Sequence, residues 1–518
     1  MADAQGLETG ALNEASSLQV RNRFGAGTRS ALLFIVCAAP VFAFSTDSLW
    51  IDEAHAALRA TQPTIAAWWQ MMIDDKGSDL QMPLYMFYLW VWEKLAGSGE
   101  FALRLANLPW FILSQLSLWL AFSRDRPARY LVVGLAAVSP FLWFYLNEAR
   151  PYIMQYAGAC IVFAVVWRGS REPVFLLRPA WMWSFGVGLF VLCTSSMLGA
   201  VWAAGAVAAW VYLARASLAG RWRTLCTAPV LTTVALLAIA GGYFLWTLQL
   251  GARASVGPTS LSNLLFVIYE LSGLSGLGPG RLEIRENGVR AFGGFGMAIA
   301  LGLIPLLIVL AAVAREICRV ATRPQVIAGA LYAVLPATVL IAVGYVEHFP
   351  LLGRHFISLA PVAFVLFVSG AEALCRSRRR IGSMFAVAVV AVWITSSVSL
   401  RLLDRHRKDD YRNAAAAAVK SLDAGEIVWW SADHFAARYY GVPLNDSGAG
   451  RKASLVFNAT AEQLERSLSP DVIIASKPDI FDASGALADF VHSRGFVPAQ
   501  RLPAFTIWER DPHSPAAH

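Results

Sequence analysis

The residues Trp50-Ile51-Asp52-Glu53-Ala54-His55 follow the first apolar stretch of the chain directly. Two adjacent carboxylates there stand where a chain would leave a membrane. Charge at that edge is costly, which makes the pair a functional candidate by default. A carboxylate in this place can act as general base toward an acceptor hydroxyl, and its neighbour can hold substrate or serve as the base instead. The bland alternative is an acidic pair stabilised by the dipole of a helix N-terminus. His55, three residues after Asp52, shares its helical face and can orient a carboxylate or meet a phosphate.

Basic residues that could answer such a base lie in three other places. The first is Asn147-Glu148-Ala149-Arg150-Pro151-Tyr152. Here the Arg150 guanidinium suits an oxyanion, Pro151 suits a first helical turn, and Glu148 and Tyr152 are further substrate-binding candidates. The second is Arg104, after Gly99-Glu100-Phe101-Ala102-Leu103. The third is His348 with Arg354 and His355, in a short segment shaped by Pro350 and Gly353. Grouped cations of this kind fit a lipid phosphate; snorkelling to headgroups is the competing explanation. The glycine-rich run over 274–280 matches no phosphate-loop spacing and reads as a flexible loop. Neither HExxH nor GxSxG occurs, and no metal-ligand cluster is evident. The six cysteines lie in or beside apolar stretches, outside any CxxC pair, so neither a disulfide framework nor a metal knuckle is expected.

The elements that must position these residues are largely apolar. Hydrophobic residues make up 57% of the 518, and only 15% are charged, against about 25% in soluble domains. The mean hydropathy is +0.52. This is the composition of a polytopic membrane protein. The formal net charge of +8 comes from short basic clusters between apolar spans, which is a positive-inside signal and excludes a nucleic-acid surface. Spans are expected near 30–46, 101–122, 130–147, 151–168, 181–198, 200–214, 226–247, 293–314, 326–345, 356–374 and 383–400. The segment 83–97 is short, carries Glu93 and Lys94, and is rich in Trp and Tyr. Taking it as interfacial places every basic cluster in the cytoplasm.

The count is then about eleven spans, with a cytoplasmic tail over 1–29 and a membrane domain over 30–400. A large outer loop over 47–100 carries the acidic pair. Past residue 400 the pattern changes to short alternating stretches separated by helical ones. This predicts a small extracytoplasmic α/β domain over 401–518.

Asp52-Glu53-Ala54, Met82-Pro83-Leu84-Tyr85, Gly99-Glu100-Phe101-Ala102-Leu103-Arg104-Leu105 and Ala149-Arg150-Pro151-Tyr152 occur in an order that resembles the GT-C glycosyltransferases. The nearest likeness is to the bacterial protein mannosyltransferase and aminoarabinose transferase superfamily. Gly353-Arg354-His355-Phe356 and Asp409-Asp410-Tyr411-Arg412 also fit, so the resemblance covers about 30–440. The chain departs at Gln81-Met82-Pro83, where many members carry a basic residue before Pro-Pro.

The resemblance implies transfer of a sugar from a polyprenyl-phosphate donor to an envelope lipid, glycan or protein, with inversion, at the periplasmic face of a bacterial inner membrane. It implies Asp52 as base, with Glu53 as alternative base or acceptor holder. Arg104, Arg150, Arg354 and His355 would receive the leaving phosphate. No cofactor is required, though a divalent ion could assist. A transporter or flippase of lipid-linked sugars would place ionisable groups inside the spans, and these are nearly absent here. A non-catalytic scaffold would bury Asp52 away from any groove.

Overall fold

The computed structural model describes residues 38–123, 126–219, 226–251, 258–320, 323–445 and 452–510. Most of the expected first span, Cys37, and Arg21, Arg23, Arg29, Arg124, Arg221 and Arg223 lie outside these residues; Ala39–Ala43, at the end of that span, forms a 3₁₀ turn.

Within the expected loop over 47–100 the chain forms the helices α1 (Ile51–Ala60), α2 (Ile65–Asp75) and α3 (Pro83–Ala96). In α1 the Glu53 side chain folds back to accept the Trp50 N–H at 3.4 Å, and the acidic pair occupies the first turn. Pro83 opens α3, where its missing N–H costs nothing, and Gly97 ends it at a φ of +90°. At 14 residues, α3 is about 21 Å long, short of the ~30 Å hydrocarbon core.

There follow α4 (Glu100–Leu105), α5 (Asn107–Ala121), α6 (Arg126–Val138), α7 (Pro140–Leu146), α8 (Tyr152–Arg171), α9 (Pro179–Ser195), α10 (Gly199–Leu218) and α11 (Ala228–Gln249). Next come α12 (Leu261–Leu271), α13 (Arg281–Asn287), α14 (Gly296–Val320), α15 (Pro324–Val346), α16 (Ala360–Ser377) and α17 (Arg379–Leu402). Among the described residues seven helices are long and apolar enough to cross a membrane, and α6 with α7 makes an eighth if the bent pair is one span. The bend is 53°. Pro140 supplies no N–H at the break, and the Ser139 hydroxyl caps the new start by accepting from Leu142 N–H. The stretches expected near 101–122 and 181–198 are helical but shorter: α4 with α5, and α9.

Lipid-facing character is plain on α11 and α14, where Leu231, Val234 and Ile239, and Met297, Leu301 and Ile304, point outward. Helices that are apolar on their outer face, with backbone groups satisfied internally, are what hydrocarbon demands. The protein is a multi-pass membrane protein. Its central helix is α8, buried along most of its length and packed on α5, α9 and α10. A Cβ on Gly158 would stand 2.9 Å from the Leu192 backbone nitrogen, so α8 and α9 approach at backbone distance. Tyr152 opens α8, with its ring edge-on to that of Tyr145 at 5.1 Å.

The C-terminal part is α/β, as the alternating pattern predicts. After α18 (Tyr411–Ala424) come β1 (Val428–Ser431), α19 (His434–Tyr439), β2 (Ser454–Leu455), α20 (Ala461–Arg466) and β3 (Val472–Ser476). They are followed by α21 (Pro478–Phe481), α22 (Ala486–Ser493), β4 (Phe496–Leu502) and β5 (Phe505–Arg510). The sheet order is β2-β1-β3-β5-β4, with β2, β1 and β3 parallel and the β3–β5 and β5–β4 pairs antiparallel.

Both faces of β1 are covered, as a parallel strand requires. Trp429 packs with Phe490 and Leu464 on one side. Trp430 joins Tyr411, Ala414 and Ala418 of α18 on the other. That second cluster runs on without a break into Ala54, Ala57, Tyr85 and Leu89 of the outer loop. The α/β unit is therefore seated on α1 and α3 through one continuous apolar core, although residue 401 reads in sequence as a domain boundary.

Candidate active site

The two carboxylates of the pair have opposite surroundings. Glu53 is fully buried. Arg104 grips it with two parallel bonds, Nε to Oε1 at 2.8 Å and Nη2 to Oε2 at 2.8 Å. The Ala149 N–H donates to Oε1 and the Lys408 ammonium to Oε2, each at 2.9 Å. Burial works to raise its pKa, but Arg104 and Lys408 outweigh it and hold the carboxyl down at about 2. A permanently ionised carboxylate with both oxygens occupied is a tie between α1, α4, the 147–151 turn and the chain after α17.

Arg104 is equally committed. Beyond Glu53, its Nη1 donates to the Ser45 and Asp47 carbonyls and its Nη2 to the Ser48 carbonyl. It is fully buried with no donor left for a phosphate. Expected as a phosphate contact, it instead holds the 45–48 backbone around Glu53.

Asp52, one residue earlier, points the other way and keeps 32% of its side chain exposed. Its Oδ2 accepts from Arg354 Nη1 at 2.9 Å. The same nitrogen reaches the Tyr152 hydroxyl at 3.2 Å. Burial raises the Asp52 pKa, but the charges of Arg354, Arg150 and His55 together hold it below the ordinary value. Arg354 is itself 24% exposed. It sits just after Gly353, whose backbone N–H donates to Glu270 Oε2 at 3.1 Å and where a Cβ would stand 2.3 Å from that oxygen. Asp52, Arg354 and Tyr152 thus form a half-open charged group at the N-terminal end of α8.

Arg150 stands behind it. Its Nη1 donates to the Asp52 carbonyl at 3.0 Å and to Asp79 Oδ1 at 2.7 Å. Asp79 also binds Arg59 at 2.5 Å, and despite burial those two guanidiniums keep it well below the usual carboxylate range. Arg150 is buried; it shapes the backbone under Asp52 and adds positive potential.

Glu148 is the odd member. It is 1% exposed, and neither carboxylate oxygen has a hydrogen-bond partner. Burial, and the Glu53 charge after it, outweigh Lys408, Arg281 and Arg354 and push its pKa up to about 7.

Three expected residues stand apart. His55 faces the α/β unit, where its Nε2 meets Asp433 Oδ2 at 2.9 Å and its ring lies 4.2 Å from that of Phe435. Burial lowers its pKa, but the bond and charge of Asp433 prevail and raise it. His355 is partly buried; its Nδ1 accepts from Leu352 N–H at 3.1 Å, and its ring meets Phe349 edge-on. His348 occupies the left-handed region at φ 52° and is exposed, with none of the cluster's contacts.

Sequence reasoning missed Asp79, Lys408, Asp433 and Arg281. Asp79 and Lys408 are ordinary residues in polar stretches, and only the fold shows that they neutralise Arg150 and Glu53. Arg281 pairs with Glu270 and lies over Phe144, with its guanidinium carbon 3.6 Å from the ring centre. Among the described residues no three His, Cys, Asp or Glu side chains stand together as a metal site.

The architecture is the GT-C fold. Over 93% of this chain and 98% of the other it matches ArnT from Cupriavidus metallidurans in the apo state, with a TM-score of 0.52 and 13% identity. The same enzyme bound to undecaprenyl phosphate gives 0.52 and 12% identity over 94% and 99% of the two chains. A looser likeness, TM-score 0.46 at 11% identity, joins 93% of this chain to 74% of the Archaeoglobus fulgidus oligosaccharyltransferase tethered to an acceptor peptide. No family model matches the chain, and no curated protein matches it in sequence.

Proposed function

We propose that this protein is a glycosyltransferase that moves a sugar from a polyprenyl-phosphate donor to a hydroxyl of an envelope lipid, glycan or protein. The reading places the reaction at the outer face of a bacterial inner membrane. The observation that carries it is the Asp52–Arg354 pair. An ionised carboxylate and a guanidinium 2.9 Å apart are left partly open, while Glu53, Arg104, Asp79 and Arg150 around them are buried and paired with one another or with neighbours. The fold shared with a protein that binds undecaprenyl phosphate supports a lipid-linked donor.

In this mechanism Asp52 accepts the proton of the acceptor hydroxyl as its oxygen attacks the anomeric carbon. The bond from that carbon to the phosphate oxygen breaks, and the configuration inverts. The leaving polyprenyl phosphate carries the charge, and Arg354 turns to it with its unused Nε and Nη2 donors. As Arg354 shifts from Asp52 to phosphate, Asp52 loses the strongest cation holding it ionised, so its basicity rises as a base is needed. Glu53 takes no part in proton transfer on this account, and a metal ion is not needed because guanidinium takes the charge. Arg150 supplies fixed positive potential beside Asp52.

The test is reconstitution. Purified protein is supplied with undecaprenyl-phosphate-linked aminoarabinose, galacturonic acid, mannose or arabinose, with envelope extract as acceptor. Release of undecaprenyl phosphate together with labelled acceptor is expected for one donor. No release with all four contradicts the proposal.

A further inference from the structure

A cavity of about 630 Å³ lies in the α/β unit, at the carboxyl ends of β1 and β3. The topology makes this a particular place. From β1 the chain leaves for β2 on one side; from β3 it leaves for β4 and β5 on the other. Adjacent parallel strands whose connections part in opposite directions open a crevice at their carboxyl ends, where α/β sheets bind ligands. The volume is within the ordinary range for small-molecule sites.

The walls have a definite chemistry. Ser431 closes β1 and Ser476 closes β3; both line the cavity, are almost fully buried, and have hydroxyls without a hydrogen-bond partner. The Tyr411 hydroxyl lies behind the wall, within reach of the Ser476 hydroxyl and of the Asp433 backbone. Buried hydroxyls left unsatisfied at a cavity wall call for a polar occupant. Phe505 and Trp508 of β5 give the site an aromatic side. The charged lining is balanced: Arg285, Lys477 and Arg501 against Glu286, Asp479 and Asp482. Lys477 is taken by Asp409, Arg285 by Asp479, and Asp482 caps α22 through Leu487 N–H and Ala488 N–H. A wall without net charge offers little to a phosphate or a nucleotide. The free Ser431 hydroxyl beside aromatic faces suits a neutral, hydroxyl-rich ring.

The cavity is also tied to the acidic site. Lys408 binds Glu53, and the next residue, Asp409, binds Lys477 in the cavity wall. Two consecutive residues thus hold both places in one register, and α13 from the 248–292 loop supplies the facing wall through Leu282, Arg285 and Glu286.

We propose that this cavity binds a neutral saccharide, the non-reacting end of a glycan acceptor. Naming the occupant an acceptor rests on the glycosyltransferase reading; the binding of saccharide does not. The test uses full-length protein in detergent and neutral trisaccharides of mannose, glucose, galactose and arabinose as probes, read by saturation-transfer NMR and titration. At least one is expected to bind. Ser431→Val and the exposed Arg501→Ala should weaken it tenfold or more, with a circular-dichroism spectrum unchanged from wild type. Asp52→Asn should leave it within twofold. Binding that survives both cavity variants but is lost in Asp52→Asn would place the saccharide at the acidic site and overturn the proposal. So would failure of all four probes to bind. Absence of sugar transfer from every lipid donor, with binding intact, would sink the transferase reading alone.

Discussion

Glu148 gives the sharpest physical prediction. Its carboxyl is buried beside Glu53 without a hydrogen bond, and its pKa is pushed from 4.5 up to about 7. The fold therefore prefers the protonated form, while the unfolded chain releases that proton near 4.5. Below pH 4.5 the two states hold the same proton. Between 4.5 and about 7 the unfolded chain ionises first, so stability falls as pH rises, and beyond 7 this contribution is flat. At about 1.4 kcal/mol per unit of pH, the loss across the window is roughly 3 kcal/mol. Glu148→Gln keeps the shape of the protonated acid and removes the titration. Denaturant or thermal unfolding in detergent at pH 5 and at pH 7.5 measures it. Between these two pH values, which take in most of that window, the wild type should lose about 2 kcal/mol more than the variant, and the variant should be the more stable at pH 7.5. His55, whose pKa is raised above 6.5, contributes stability below that value that is lost as pH rises through its folded pKa. It does so in both proteins and cancels in the difference. Parallel pH profiles would refute the reasoning about Glu148.

The other arginines separate by role. Arg104→Met should leave Glu53 with Lys408 as its remaining cation and cost about 3–5 kcal/mol, the usual penalty for half of a buried pair, read as a lower unfolding midpoint in detergent. Arg354→Ala should fold normally and lower kcat by about 10²–10³, the range for losing a group that stabilises developing charge, with a smaller change in KM for the donor. EDTA should leave transfer unchanged, because the proposed charge acceptor is a guanidinium; loss of activity restored by a divalent ion would contradict that.

Much of this fold was legible from residue type and spacing. Apolar stretches of the right length marked the helices around α8, Pro83 and Gly97 bracketed α3, and short alternating runs marked β1 and β3. The site was legible as a set of segments. Asp52, Arg150, Tyr152 and Arg354 do gather at one end of α8, because the positions of helix ends bring those turns together. Which residue of the acidic pair stays open was not legible. Asp52 and Glu53 are neighbours of the same chemical type, and the difference lies in about 100° of helical rotation and in Lys408, 355 residues away. Arg104 was misread for the same reason: its partner depends on which way Glu53 faces. His55 belongs to the docking of the α/β unit because Asp433 and Phe435 come to it from α19 and the turn before it. That contact has no local signal in residues 50–60.

The proposed mechanism rests on Asp52 as the base and Glu53 as a structural group. The direct measurement is single-turnover sugar transfer from the lipid-linked donor by Asp52→Asn in detergent, with the unfolding midpoint recorded alongside. Transfer should fall by about 10²–10⁴, the contribution of a positioned general base, with a midpoint near that of wild type. Transfer at the wild-type rate by Asp52→Asn would contradict this mechanism.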